Sequence, residues 1–113
     1  MSKLLKDLTE ATFDQTVDRK DDVPVIIDYW APWCAPCRFM TPVLEKLAKE
    51  LGDEVIICKV NVDEERRIAE MAQIRAIPTM HIVQHGKLVD VLVGLQDEQA
   101  LRQRLAQLRK AAA

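Results

Sequence analysis

The chain has 113 residues and a net charge of −2. That is the size of one domain, with no cationic surplus of the kind that nucleic acid or an anionic membrane surface selects. Its hydrophobic fraction of 49% is ordinary for a globular protein, and a chain of this length can bury a real core without covalent staples. The opening MSKLLKDLTEATF lacks the apolar segment and cleavage site of a signal peptide, and no run approaches the roughly 18 apolar residues of a membrane span. The expected setting is therefore the cytosol, where structural disulfides are uncommon.

Lys3 to Leu5 is a short possible strand. TEATFDQTVDRK follows as a helix, with Thr9 as its N-cap and Phe13 and Val17 four residues apart on one face. VPVIIDYW is a continuous apolar, β-rich run that suits a strand buried on both faces, and it carries one charge, Asp28. From Cys37 to Leu51 the apolar residues Met40, Val43, Leu44, Leu47, Ala48 and Leu51 recur at helical spacing, and Gly52 supplies the stop. Pro42 lies inside this helix and should kink it, because it has no N–H and crowds the preceding turn.

EVIICKVNVD is a second β run, after which Asp63 can cap a short helix through Ile68, Met71 and Ala72. IPTMHIVQ and KLVDVLVG read as two strands joined by a His85–Gly86 hairpin turn. DEQALRQRLAQLRK closes the chain as a helix with Leu101, Leu105 and Leu108 on one face; its acids lie early and its bases late, matching the helix dipole. There is no internal repeat or linker. The whole chain, 1–113, reads as a single domain, with about 110–113 expected to fray. The order β-α-β-α-β-α-β-β-α argues for a sheet with helices on both faces and an antiparallel hairpin beside more parallel strands.

WAPWCAPCR sets Cys34 and Cys37 at the junction of a buried strand and a helix. Three uses of the pair compete. A closed zinc site needs four ligands, and the only histidines are His81 and His85. Four residues of strand separate these by about 13 Å, which argues against joint ligation; His81 is expected beside the sheet and His85 in the solvated turn. A permanent staple closing so small a loop would restrict the unfolded chain little. A redox couple suits the position. Residues three apart on a helix are neighbours that a disulfide can join. Cys34 at the helix N-terminus has exposed N–H groups and the dipole to stabilise a thiolate, the form that attacks a disulfide. Cys37, one turn in, is more buried and held as a thiol. Pro36 falls in the first turn, where its missing N–H costs little.

The C-x-x-C beside a βαβ pattern is a thioredoxin-like motif, and the likeness extends well beyond it. VIIDYWAPWCAPCR resembles the thioredoxin active-site stretch, including the aspartate six residues before the first cysteine. KVNVDEE, IRAIPTM, GKLVDVLVG and the closing amphipathic helix follow in that family's order and spacing, so that the resemblance covers nearly the whole chain. It implies an α/β thioredoxin fold, a central mixed five-stranded sheet flanked by four helices, and a dithiol–disulfide oxidoreductase that reduces protein disulfides. It assigns Cys34 as the attacking and Cys37 as the resolving cysteine, Asp28 as the proton acceptor and donor, and Lys59 as the lysine that tunes Asp28. Pro78 matches a cis-proline beside the site. Trp33, with Ala35, Pro36, Ile77 and Gly94, belongs to the surface that receives the substrate, while Trp30 matches a more structural ring.

The resemblance further implies no bound cofactor or metal, electrons drawn from NADPH through a separate thioredoxin reductase, and disulfide-containing target proteins as the other partners of a monomer in the cytoplasm. The chain carries no dinucleotide fingerprint of its own. It departs from the common family pattern at Ala35, where glycine is usual between the cysteines, at Ala76, where glycine is frequent, and at Pro32, often an acid; these bear on reduction potential and partner preference. Cys58, outside the motif, is expected to be a small buried hydrophobe. A rival from another class is a binding module that uses the same fold as a scaffold with incidental redox activity; it would keep its partner when both active-site cysteines become serine.

Overall fold

The computed structural model describes residues 4–112. Its elements are β1 (Lys6–Asp7), α1 (Glu10–Val17), β2 (Val25–Trp30), α2 (Ala35–Leu51), β3 (Ile56–Asn61), α3 (Arg66–Met71), β4 (Thr79–Gln84), β5 (Lys87–Val93) and α4 (Glu98–Ala112). The strands form one five-stranded sheet in the order β1-β3-β2-β4-β5. β3 pairs in parallel with both β1 and β2, whereas β4 runs antiparallel to β2 and to β5. The sheet is thus mixed, with its two most buried strands, β2 and β4, at or beside the centre.

Strand alternation divides the core in two. Ile26, Ile57, Met80 and Ile82 face the layer of α2 and α4 and pack with Met40, Leu44, Leu47, Leu101, Leu105 and Leu108. Val25, Ile27, Tyr29, Cys58, Val60 and Val83 face the other way, onto Phe13 and Val17 of α1 and Ile68 of α3. Burial of each leucine of α4 is worth about 1.5–3 kcal/mol, so this amphipathic helix is fixed by its face rather than by helix propensity.

The local signals explain the boundaries. Gly52 ends α2 at φ 53°, a conformation that favours glycine. Pro42 is accommodated within that helix, leaving the Arg38 carbonyl without its usual amide partner. The β4–β5 turn has both central residues at positive φ, His85 at 55° and Gly86 at 73°, the geometry whose twist suits a two-residue hairpin. His85 is additionally tied to Asp22 at 2.8 Å.

Three boundaries differ from the sequence expectation. The first strand is Lys6–Asp7, not Lys3–Leu5: Lys6 and Asp7 pair with Cys58 and Lys59, while Leu5 is spent on the core; Lys3 lies outside the described residues. α1 stops at Val17, where the backbone of Asp18 leaves the helical region. Asp63 does not cap α3, whose N-cap position is Glu65, and its carboxylate is engaged elsewhere. The closing helix extends through Ala112, with its last turns anchored by buried Leu108 and an Arg109–Glu54 ion pair.

Candidate functional site

The site is assembled where β2 ends and α2 begins. Cys34 is the N-cap of α2, with extended backbone at φ −88° and ψ 107°, and its Sγ accepts a hydrogen bond from the Cys37 amide at 3.2 Å. A sulfur in the N-cap position therefore receives what a serine or aspartate oxygen usually would, and the same donor would stabilise a thiolate there. The two Cα atoms are 5.3 Å apart and the cysteines are joined by a disulfide. Cys34 keeps 5% of its surface exposed and Cys37 none, so attack from outside can reach only the first sulfur. Ala35 and Pro36 form the exposed first turn between them, with Pro36 where its missing N–H is harmless.

The surroundings come from four loops. Ala31, Val62 and Ile77 pack on the cysteine pair. The Ile77–Pro78 peptide bond is cis, which a proline permits at small cost. The Pro78 carbonyl accepts from the Gly94 amide at 2.8 Å, and Gly94 stands at φ 86°. Ile77, Pro78 and Gly94 thus form one continuous backbone feature beside the cysteines. Trp33 is 68% exposed, yet its indole is oriented: Nε1 donates to Asp63 Oδ2 at 2.8 Å. Arg38 braces the loop from the helix side, donating to the Pro32 carbonyl at 2.9 Å.

Beneath this surface lies Asp28, fully buried in the centre of β2, opposite Lys59 on β3 and Met80 on β4. Neither carboxyl oxygen has a hydrogen-bond partner among the described residues. Burial pushes its pKa up to about 7, against the opposing pull of the Lys59 charge. An acid in that condition exchanges a proton near neutral pH, as a general base or acid must. Cys58 behaves differently: it faces the other layer, and burial pushes its thiol up to about 12, out of redox range. His81 is buried on that second face, edge-on to Tyr29. Among the described residues no cluster of three or more metal-ligating side chains forms, and no helix is long and apolar enough to cross a membrane.

The structure brings together Cys34, Cys37, Ala35, Pro36, Ile77, Pro78 and Gly94, and places Asp28 and Lys59 as sheet partners on the layer that α2 covers. Two positioning contacts were not foreseen from sequence, the Asp63–Trp33 hydrogen bond and the seating of Lys59 Nζ 3.8 Å from the centre of the Trp30 ring. Each joins residues distant along the chain, which no local pattern signals.

A mixed α/β sheet that delivers a two-residue-spaced disulfide to a helix N-terminus, one sulfur accessible and the other buried, defines a thiol–disulfide oxidoreductase. The family described as Thioredoxin matches residues 4–107. Thioredoxin 1 of Synechococcus elongatus is 45% identical over 87 residues, covering 77% of this chain and 80% of that protein. Thioredoxin 1 of Nostoc sp. is 42% identical over 98 residues, 87% of this chain and 91% of its own length, and the thioredoxin of Alicyclobacillus acidocaldarius is 41% identical over 99 residues, 88% and 92% respectively. The chain belongs to the thioredoxin family, and its redox-active centre is the Cys34–Cys37 pair.

Proposed function

We propose that the chain works as a single domain over residues 1–113, a monomer of the cytoplasm that reduces disulfides of other proteins, with the following division of labour. The Cys34 thiolate attacks one sulfur of an exposed target disulfide; a Cys34–target disulfide forms and the other target sulfur leaves as a thiolate. Asp28, as carboxylate, takes the proton from the Cys37 thiol, directly or through water. The Cys37 thiolate then attacks Cys34 Sγ, the mixed disulfide breaks, and the target leaves with both its sulfurs reduced. Two electrons have moved to the target, and the protein holds the Cys34–Cys37 disulfide. A separate thioredoxin reductase, supplied by NADPH, returns the dithiol; no cofactor or metal is bound by this chain.

The remaining residues serve recognition and tuning. Trp33, Ala35, Pro36, Ile77 and Gly94 receive the target segment around its disulfide, and Pro78 in its cis form presents backbone beside Cys34. Lys59 adjusts the proton affinity of Asp28. The observation that carries this reading is the asymmetry of the cysteine pair: Cys34 accepts a helix-terminal amide and is the reachable sulfur, whereas Cys37 is sealed.

The test is a comparison of single cysteine variants in lysate. Cys37→Ser should accumulate mixed disulfides with targets, because attack proceeds and resolution cannot. Cys34→Ser should accumulate none. Equal trapping by the two on non-reducing gels would refute the assignment of roles. Coupled reduction of insulin with reductase and NADPH tests the recycling route, and retention of targets by a Cys34→Ser, Cys37→Ser double variant would instead favour the scaffold.

A further inference from the structure

Lys59 and Asp28 are register partners on adjacent parallel strands, and their opposite charges make a direct ion pair the obvious arrangement. It is not the arrangement formed. Asp28 has no hydrogen-bonded partner among the described residues, and Lys59 Nζ lies against the Trp30 indole at 3.8 Å from its centroid. An ammonium over an indole face is held by the ring quadrupole, and tryptophan is the best of the aromatic side chains at this.

The lysine has other places to go. Beside Lys59 and Trp30 opens a cleft of about 670 Å³, also lined by Asp7 of β1, Glu45 of α2, and Glu64 and Glu65 of the turn before α3. Two of these acids are occupied: Glu64 accepts from the Asn61 amide group and Glu65 from the Glu10 backbone. Trp30 itself is retained at some expense, since its buried Nε1–H has no partner among the described residues. Phenylalanine would carry no such orphan donor, so hydrogen bonding does not account for an indole here.

We propose that Trp30 is a positioning residue for the redox reaction: its ring parks the Lys59 ammonium short of a direct ion pair with Asp28, and thereby keeps Asp28 a strong enough base to take the Cys37 proton. The proposal rests on the reading of Asp28 as proton acceptor and adds the element that sets its proton affinity. A lysine released from the ring is free to close on either register partner, Asp28 on β2 or Asp7 on β1, and closure on Asp28 places an opposite charge in contact that lowers a carboxyl pKa by about 1–3 units. A carboxylate so stabilised is ionised over a wider range and is a weaker base. The other charges facing the pair, from Asp7, Glu45, Glu64 and Glu65, are shared by all variants below.

The experiment uses the oxidised protein, in which neither Cys34 nor Cys37 titrates, and follows the Asp28 carboxyl carbon by NMR as pH is varied. Trp30→Leu should lower the Asp28 midpoint by about 1 unit or more. Trp30→Phe, which keeps an aromatic face, should stay much closer to the parent. Lys59→Met, which removes the charge altogether, should move the midpoint the other way, upward. An unchanged or raised midpoint in Trp30→Leu would overturn the proposal. Should Trp30→Leu not fold, the parent protein still decides. The Lys59 ε-methylene protons must be shifted upfield by the indole ring current, and unshifted resonances would overturn the proposal equally. Because the titration is read on Asp28 itself, it is independent of whether Asp28 takes the Cys37 proton. Failure of that role would appear separately, as an unaltered pH profile of target release in Asp28→Asn.

Discussion

Asp28 shows how a single buried carboxyl links stability to chemistry. Its folded pKa is raised to about 7 from an ordinary value of 3.8, so between these values the folded state binds a proton that the unfolded state has lost. Stability must then fall as pH rises through this window; the penalty is absent below the unfolded pKa and complete above the folded one. Three pKa units correspond to about 4 kcal/mol at most. Asp28→Asn keeps the shape and removes the titration. The variant should therefore be more stable than the parent at about pH 8, by up to a few kcal/mol, and should lose most of that advantage at about pH 4. Urea unfolding of the oxidised forms at the two pH values measures it, and an advantage that is constant with pH would mean that Asp28 does not titrate in this range. The same substitution should slow target release above neutral pH, which stopped-flow mixing reports. The residue was legible in the sequence as the lone charge in an apolar strand. Its lack of any hydrogen-bond partner was not, because that depends on where Lys59 rests, and Lys59 is 31 positions away along the chain. Asp63 illustrates the same limit: read locally it suits a helix cap, yet its carboxylate is taken by Trp33.

At the level of elements, the first turn of α2 is where this chain departs most visibly from the common thioredoxin motif. Ala35 opens the helix directly after Cys34, and its φ is negative, the positive-φ residues other than glycine being Gln73 and His85 among those described. Alanine is unstrained there and restricts the unfolded chain more than glycine would. Ala35→Gly should destabilise the protein by about 0.4–1 kcal/mol. Most of that loss is common to the oxidised and reduced forms, which share the turn, and only the difference enters the reduction potential. If half were differential, the shift would be at most about 10 mV, since 1.4 kcal/mol corresponds to about 30 mV for two electrons. Melting temperatures of both forms should thus fall while equilibration against a glutathione buffer finds the potential nearly unmoved. A shift well beyond about 30 mV would show that Ala35 acts on the thiolate or the disulfide itself. The elements were legible wherever one signal ran for several residues: the β-rich runs of β2 and β3, the leucine face of α4, the His85–Gly86 turn. They were misjudged at their ends. Lys6 and Asp7 have no strand-like composition, and what makes them a strand is the free edge of β3 beside them.

For the molecule as a whole, the sheet separates two buried titratable groups that strain stability in opposite directions. Asp28 faces the α2 layer and favours low pH. His81, one turn of the pleat along β4 from Met80, faces the α1 and α3 layer, and burial holds its pKa below the ordinary 6.5. A folded state that prefers neutral imidazole is destabilised as pH falls below 6.5, when the unfolded chain takes up a proton that the folded one resists. Below pH 6.5 the two slopes oppose, and the Asp28 shift is the larger, so the parent protein should still lose stability as pH rises there, but less steeply than His81→Leu. Asp28→Asn alone exposes the histidine, and stability should then rise with pH. His81→Leu alone exposes the aspartate, and stability should fall with pH. The groups lie on opposite faces with separate core clusters around them, so their effects should add within about 0.5 kcal/mol and the double variant should be nearly flat between about pH 5 and 8. Denaturant unfolding of the four proteins across that range decides the matter. A double variant as steep as either single one would show that neither Asp28 nor His81 sets the slope in this range; the surface carboxylates Asp21 and Glu98, held low by Arg19 and Arg102, are a separate source of pH dependence. Depressed groups of that kind act only at more acid pH, where they lose stability as pH falls, so all four proteins should share a slope that grows toward about pH 3.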